Sequence, residues 1–216
     1  MIDLRYSDIV KNMNLFDFHV FGCGAIGSSV AIEIARLNAS NIYLYDHDDV
    51  ASHNIGTSMY LATQIGRRKV SALSEMISDI NANADISYNF NILDEKSNIV
   101  LNKNSIGILA FDSMKSRLDI AKTLCKRNIF AIIDGRMGAE TLQVYSLTNT
   151  DIDIYKNTWY SDEDGDKEPC TASATPYCAN IAGSIIANNI AKITSGQPLY
   201  KEIVFHFPTM TMIAKS

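Results

Sequence analysis

The tightest constraint on this chain is a glycine turn set between a short apolar run and an amphipathic one. Phe18-His19-Val20-Phe21 reads as a buried strand and runs straight into Gly22-Cys23-Gly24-Ala25-Ile26-Gly27. Over residues 28–37, Val30, Ala31, Ile34 and Leu37 recur at helical spacing. In such a unit Gly22 allows a tight turn, Gly24 lets backbone approach a phosphate, and Gly27 lets helix and strand pack together. The helix start then offers free N–H groups and a positive dipole end to an anion. Residues 42–45 read as a second strand, and Asp46 stands at its end, where an acidic residue takes ribose hydroxyls. By itself the unit suits a dinucleotide and ATP equally, and a connecting turn without a ligand is the plain alternative.

The alternation of periods continues along the chain. A helix is expected over 66–81, with Val70, Leu73, Ile77 and Ile80 on one face, then strands over 86–90 and 106–111. A helix over 116–126, strands over 131–134 and 142–147, and a long helix over 177–194 follow. Strands over 203–207 and 210–214 close the chain. This pattern predicts one α/β domain over residues 1–216, a Rossmann-like, mostly parallel sheet with helices on both faces and closing antiparallel strands at the C-terminus. Residues 47–63 read as a loop with weak helical stretches. Residues 150–168 read as an exposed polar crossing loop around Asp162-Glu163-Asp164-Gly165-Asp166.

Charge and cysteine usage narrow the function classes. A net charge of −5 and a pI near 5.3 argue against nucleic acid or an anionic membrane as the partner. Apolar runs of only a few residues exclude a membrane-spanning helix, and the start of the chain has no basic region followed by an apolar block. The expected location is cytoplasmic. Cys23, Cys125, Cys170 and Cys178 form no C-x-x-C pair, so neither a structural zinc site nor disulfides are expected. Asp162 to Asp166 lack the spacing of a calcium loop, and the four histidines form no ligand-spaced pair.

A second cluster separates the nucleotide choices. Asp46-His47-Asp48-Asp49-Val50 leads to Asn54, then to Gly66-Arg67-Arg68-Lys69, and later to Asp112 and Arg117 in Phe111-Asp112-Ser113-Met114-Lys115-Ser116-Arg117. In this order and spacing the chain resembles the E1-like adenylyltransferases: ThiF, MoeB and the adenylation domains of ubiquitin-activating enzymes. Those proteins follow the glycine turn with D-x-D-x-V-x-x-x-N, then G-x-x-K, then D-N-x-x-x-R. The resemblance covers nearly the whole chain. It implies ATP and Mg²⁺ as cofactors, and a small ubiquitin-like or sulfur-carrier protein as partner, with the enzyme a homodimer.

The resemblance also implies roles. Asp46 would hold the ribose, and Asp48 and Asn54 would line the nucleotide site. Lys69 would neutralise charge at the α-phosphate. Asp112 would hold Mg²⁺, a hard cation suited to a carboxylate and phosphate oxygens, and Arg117 would support the loop. Pro169-Cys170-Thr171-Ala172-Ser173-Ala174-Thr175-Pro176 is similar to the P-x-C-T-x-x-x-x-P motif that carries the catalytic cysteine of ubiquitin-type enzymes. Cys170 would then attack the acyl-adenylate. Its other reading is an inert loop cysteine, because the neighbouring Asp166 and Glu168 raise a thiol's pKa. Cys23 and Cys178 read as packing. Trp159-Tyr160 reads as a docking point for the carrier's tail or as an anchor for its own loop.

The chain departs from the family at two positions. Thr57 stands where an arginine follows the loop asparagine, and Asp8 stands where the second arginine of an R-Y-x-R opening belongs. Arg5, Arg67 and Arg68 are candidates to supply the missing charge. A non-catalytic E1-like subunit that binds nucleotide or carrier is therefore one alternative. An NAD-dependent oxidoreductase is the other, although it leaves Lys69 and Asp112 without a role.

Overall fold

The computed structural model describes residues 5–138, 140–163 and 174–216. Eight strands form one sheet: β1 (Asp17–Phe21), β2 (Asn41–Tyr45), β3 (Asp85–Asn89), β4 (Ser105–Leu109), β5 (Ala131–Gly138), β6 (Thr141–Leu147), β7 (Glu202–His206) and β8 (Thr211–Lys215). Their spatial order is β3-β2-β1-β4-β5-β6-β7-β8. The pairs from β3 through β5 are parallel, and those from β5 through β8 are antiparallel. The central strands are apolar on both faces: Phe18, Val20, Ile106, Ile108 and Leu109 are fully buried, as a parallel sheet covered on both sides requires. Each such side chain stabilises the fold by about 1.5–3 kcal/mol.

Helices cover both faces. On one side α1 (Ala25–Arg36), α2 (Lys69–Ile80) and α5 (Pro176–Thr194) bury Val30, Ile34, Leu73, Ile77, Ile186 and Ile190 against the sheet. On the other, α3 (Met114–Lys126) and the short α4 (Ile152–Lys156) cover Phe21, Leu109 and Ile132 with Ile120, Leu124 and Tyr155. No helix among the described residues is long and apolar enough to cross a membrane. The chain leaves β1 toward β2 on one side and returns to β4 on the other. The crevice above the C-terminal ends of β1 and β4 is thus the switch point where open α/β sheets bind ligands.

Three segments differ from the sequence reading. The helix expected over 66–81 begins at Lys69. Gly66 has φ +86°, and residues 66–69 instead pair with residues 48–50 through Val50 N–H to Arg67 O (2.8 Å), Gly66 N–H to Val50 O (2.8 Å) and Lys69 N–H to Asp48 O (3.0 Å). The helix expected over 28–37 begins a turn earlier, at Ala25, because Gly24 itself is its N-cap. The segment expected to be an exposed loop over 150–168 contains α4, with Tyr155 fully buried. There a local tyrosine anchor overrides polar composition.

Candidate active site

The glycine turn and the turn after β4 meet at the switch point. Gly22 has φ +90°, a conformation that favours glycine, and a Cβ there would lie 2.7 Å from Ala110 O. A Cβ on Gly27 would lie 1.8 Å from Gly22 O, so helix α1 can start this close to β1 only without a side chain. Gly24 faces open space. The three glycines therefore divide into two that packing requires and one whose surroundings are free.

Asp46 ties this turn to the next loop. One of its oxygens accepts the Cys23 N–H at 2.7 Å and the other accepts the Asp48 N–H at 2.8 Å. Lys69 is the first residue of α2, and its side chain is only 9% exposed. Its ammonium sits 2.7 Å from Asp48 Oδ2 and 3.9 Å from Asp46 Oδ2. Partial burial pushes the Asp48 carboxyl up, but the hydrogen bond and charge of Lys69, with help from His47 and His53, outweigh it and hold the pKa below the ordinary value. Buried Tyr60 closes the arrangement, since its hydroxyl donates to Cys23 O at 2.7 Å, with Lys69 O at 3.3 Å.

The structure thus brings Gly22, Gly24, Asp46, Asp48 and Lys69 together. Asn54 lies in the neighbouring turn, where its Oδ1 accepts the Ala51 N–H at 2.9 Å and braces residues 51–57. Asp112 follows β4, is exposed, and makes no hydrogen bond or ion pair with a described residue. Among the described residues, only Asp46, His47 and Asp48 form a group of three whose ligand atoms lie within 4.8 Å of one another, and Lys69 already supplies a cation to two of them. Cys170 lies outside the described residues. Cys23 is fully buried, and burial, followed by the charge of Asp46, pushes its thiol well above the ordinary range. Cys178 is likewise buried and pushed up to about 11.

Of the arginines considered at Thr57, Arg67 is paired with Glu75 on the outer face of α2. Arg68 stays at the site, 2.9 Å from His47 O and 3.1 Å from Asp49, with its guanidinium over the Phe90 ring. Arg117 does support the loop: it is buried and donates to Leu109 O, Phe111 O and Asp134.

Asp134 and Arg136 were not singled out by the sequence reading. They lie two apart on β5 and so share a face, and a charge pair alternating in a buried strand was the available signal. Asp134 is fully buried and takes both Arg117 and Arg136, together with the Tyr155 hydroxyl at 2.8 Å. Tyr60 carried no sequence signal, since a lone tyrosine in a loop says nothing of its partners.

A separate cavity of about 550 Å³ is lined by Lys103, Asn104, Asn128 and Phe130, which precede β4 and β5, and by Gln197. It lies at the opposite end of the parallel strands from the glycine turn.

Known proteins agree with this architecture. The chain is 29% identical over 143 residues to the tRNA threonylcarbamoyladenosine dehydratase of Haemophilus influenzae, covering 61% of this chain and 53% of that protein. It is 34% identical over 74 residues to the ubiquitin-like modifier-activating enzyme 5 of Caenorhabditis elegans, covering 34% and 18%. Among solved structures, E. coli MccB with ATP superposes with a TM-score of 0.77 at 15% identity, covering 95% of this chain and 65% of that one. PaaA superposes with a TM-score of 0.74 at 18% identity, covering 95% and 65%. At these identities the superpositions show the fold alone, and the chain spans about half the length of the dehydratase. The family model described as ThiF family matches residues 7–215, and the chain belongs to the ThiF family.

Proposed function

We propose that this chain is an ATP-dependent adenylyltransferase that activates the C-terminal carboxylate of a small ubiquitin-like or sulfur-carrier protein. The observation that carries the reading is the buried Lys69 ammonium, linked through Asp46 to the Cys23 N–H of the glycine turn. Phosphate is what such a turn and such a lysine have in common as a ligand. The relative named ubiquitin-like modifier-activating enzyme 5 and the MccB structure with ATP point the same way.

Each residue then has a task. The N–H groups at the start of α1 receive phosphate oxygens, with Gly24 leaving room for them. Asp46, held at the end of β2 and keeping lone pairs beyond the two N–H groups it accepts, takes the ribose. Lys69 exchanges the carboxylate of Asp48 for the α-phosphate. Asp112, open to solvent, fits Mg²⁺, which is held by one or two carboxylates with phosphate oxygens. The ion would neutralise charge on the phosphates. A carrier carboxylate oxygen bonds to the α-phosphorus as the bond to the β-phosphate oxygen breaks, giving an acyl-adenylate and pyrophosphate. No general base is needed, since the carboxylate is ionised at neutral pH. Attack by the Cys170 thiolate on the acyl carbon would expel AMP and leave a thioester.

Calorimetric titration with MgATP and, separately, with NAD tests the reading, with Asp46→Ala and Asp112→Ala as controls. The expected result is heat with MgATP that Asp46→Ala abolishes and that loses its Mg²⁺ dependence in Asp112→Ala. Heat with NAD and none with MgATP would sink it in favour of an oxidoreductase.

A second reading has specific support in Thr57 and Asp8, where the family's arginines are replaced. In it the chain binds nucleotide or carrier without turnover. Gain of pyrophosphate exchange in Thr57→Arg would mark a site that lacks only that charge, and no response would favour the non-catalytic reading.

A further inference from the structure

Strands β2 and β3 end side by side. Their last paired residues are Tyr45 and Asn89, and the Asp46 N–H donates to Asn89 O at 3.2 Å. Phe90 is therefore the residue that follows the backbone partner of Asp46. It is 52% exposed, at the C-terminal edge of the parallel strands, where open α/β sheets bind ligands. Its ring does not stand alone. The Arg68 guanidinium lies 5.7 Å from the ring centroid, within reach of a cation–π contact. The same guanidinium is held 2.9 Å from His47 O and 3.1 Å from Asp49 Oδ1.

Arg68 and Lys69 serve different sides because of the backbone between them. Arg68 is the N-cap of α2, with φ −55° and ψ 129°, and pairs with Asp49 in an antiparallel bridge. Successive side chains on extended backbone leave on opposite sides. Lys69 thus turns to Asp48 and Asp46, while Arg68 turns to Phe90. Asp46 touches both sides: its carboxylate lies 3.9 Å from Lys69, and its backbone is bonded to Asn89. A nucleotide with phosphate at Lys69 and ribose at Asp46 still has a base to place. Phe90 and Arg68 offer it an aromatic face and a planar cation, the two surfaces that hold a base by its π-face without reading its edges.

We propose that Phe90 and Arg68 form a cation–π platform that receives the nucleobase and selects purine over pyrimidine nucleoside triphosphates. Arg68 is then a specificity residue for the base and not a replacement for the arginine absent at Thr57. This rests on the nucleotide reading above. The selection follows from area, since a two-ring purine covers more of the platform than a one-ring pyrimidine.

The experiment titrates the full chain by calorimetry with MgATP and, separately, with MgCTP, and repeats both on Phe90→Leu, Phe90→Tyr and Arg68→Gln. Wild type should favour ATP over CTP by about tenfold or more, the size of effect that stacking of one base supplies. Phe90→Leu and Arg68→Gln should each shrink that ratio to about threefold or less, and Phe90→Tyr, which keeps an aromatic face, should preserve it. Both side chains are half exposed, so melting temperatures should stay near wild type. A contact of Arg68 with phosphate would instead weaken ATP and CTP alike in Arg68→Gln and leave the ratio unchanged. A ratio near one in wild type, a wild-type ratio in Phe90→Leu or Arg68→Gln, or a Phe90→Tyr ratio as low as that of Phe90→Leu overturns the platform and leaves the nucleotide reading standing. Absence of heat with both nucleotides in wild type overturns the nucleotide reading and the platform with it.

Discussion

Lys69 Nζ lies 2.7 Å from Asp48 Oδ2, so the lysine at the head of α2 is already charge-paired before any phosphate arrives. On the proposed function, a triphosphate would take this ammonium from Asp48 while Asp46, at 3.9 Å, stays close by. Replacing Lys69 with Met is expected to weaken MgATP binding at least tenfold, read by calorimetry. Asp48→Asn should leave the ammonium with Asp46 as its remaining carboxylate and lower stability only slightly at pH 7. Because Asp48 is half exposed, that loss should be below about 1 kcal/mol. The folded-state pKa of Asp48 is lowered, so the pair's contribution is present above the unfolded value near 4 and fades as pH falls through the lower folded value. Denaturation midpoints of wild type and Asp48→Asn should therefore converge in acid.

The glycines separate packing from ligand approach. Gly27→Ala puts a methyl group 1.8 Å from the Gly22 carbonyl oxygen, and a loss of about 3 kcal/mol or more is expected from such overpacking. Gly24→Ala meets nothing within 4 Å and has a negative φ, so its melting temperature should stay near wild type while MgATP affinity drops. Equal losses of both properties in Gly24→Ala would remove that glycine from the phosphate cradle.

His19 makes stability pH-dependent. Its ring is fully buried, stacked against that of Tyr43 on the adjacent strand at 4.4 Å between centroids, and burial lowers its pKa to about 4 despite the opposing charge of Asp17. The unfolded chain binds the proton near pH 6.5. Stability from the neutral ring is therefore full above pH 6.5 and is lost as pH falls toward 4, by up to about 3 kcal/mol. Urea unfolding at pH 7 and pH 4.5 should show this slope, and His19→Phe should flatten it.

Asp134 holds two guanidiniums in the interior. Asp134→Asn leaves both without a counter-charge, and a loss of about 3–5 kcal/mol is expected for a broken buried pair. Arg136→Gln, which leaves one guanidinium matched to one carboxylate, should cost less. Guanidinium chloride midpoints measure the order of the two, and the reverse order would refute this account of the cluster.

The three described cysteines share one reason to react slowly. Burial pushes Cys23 well above the ordinary thiol range and raises Cys125 and Cys178 to about 11, with nearby carboxylates adding to it. Brief iodoacetamide treatment of the native chain at pH 7.5 should place its first adduct on Cys170. Peptide mass mapping with Cys170→Ser as control checks this, and an adduct on Cys178 would count against it.

Much of the fold was legible in sequence because local pattern and tertiary need coincide there. The apolar strand before Gly22, the helical spacing after it and the repeated alternation of strand and helix place a doubly covered parallel sheet and its switch point. The order of Asp46, Asp48, Lys69 and Asp112 along the chain marked a candidate site, of which the structure brings Asp46, Asp48 and Lys69 together. What the sequence could not decide is where those side chains end up. By spacing alone Lys69 falls inside a helix starting at position 66, and nothing local sets its burial. It becomes a buried ammonium because residues 66–69 pair with 48–50 before the helix begins. Residues 150–163 are polar in composition, yet Asp134 and Arg136, charged on a buried strand, recruit Tyr155, Thr158 and Tyr160 to satisfy them. Hydrophobic period is a local property and can be read from neighbours in the chain. Pairing of buried charges joins residues about 20 positions apart, and only the folded chain determines which partners meet.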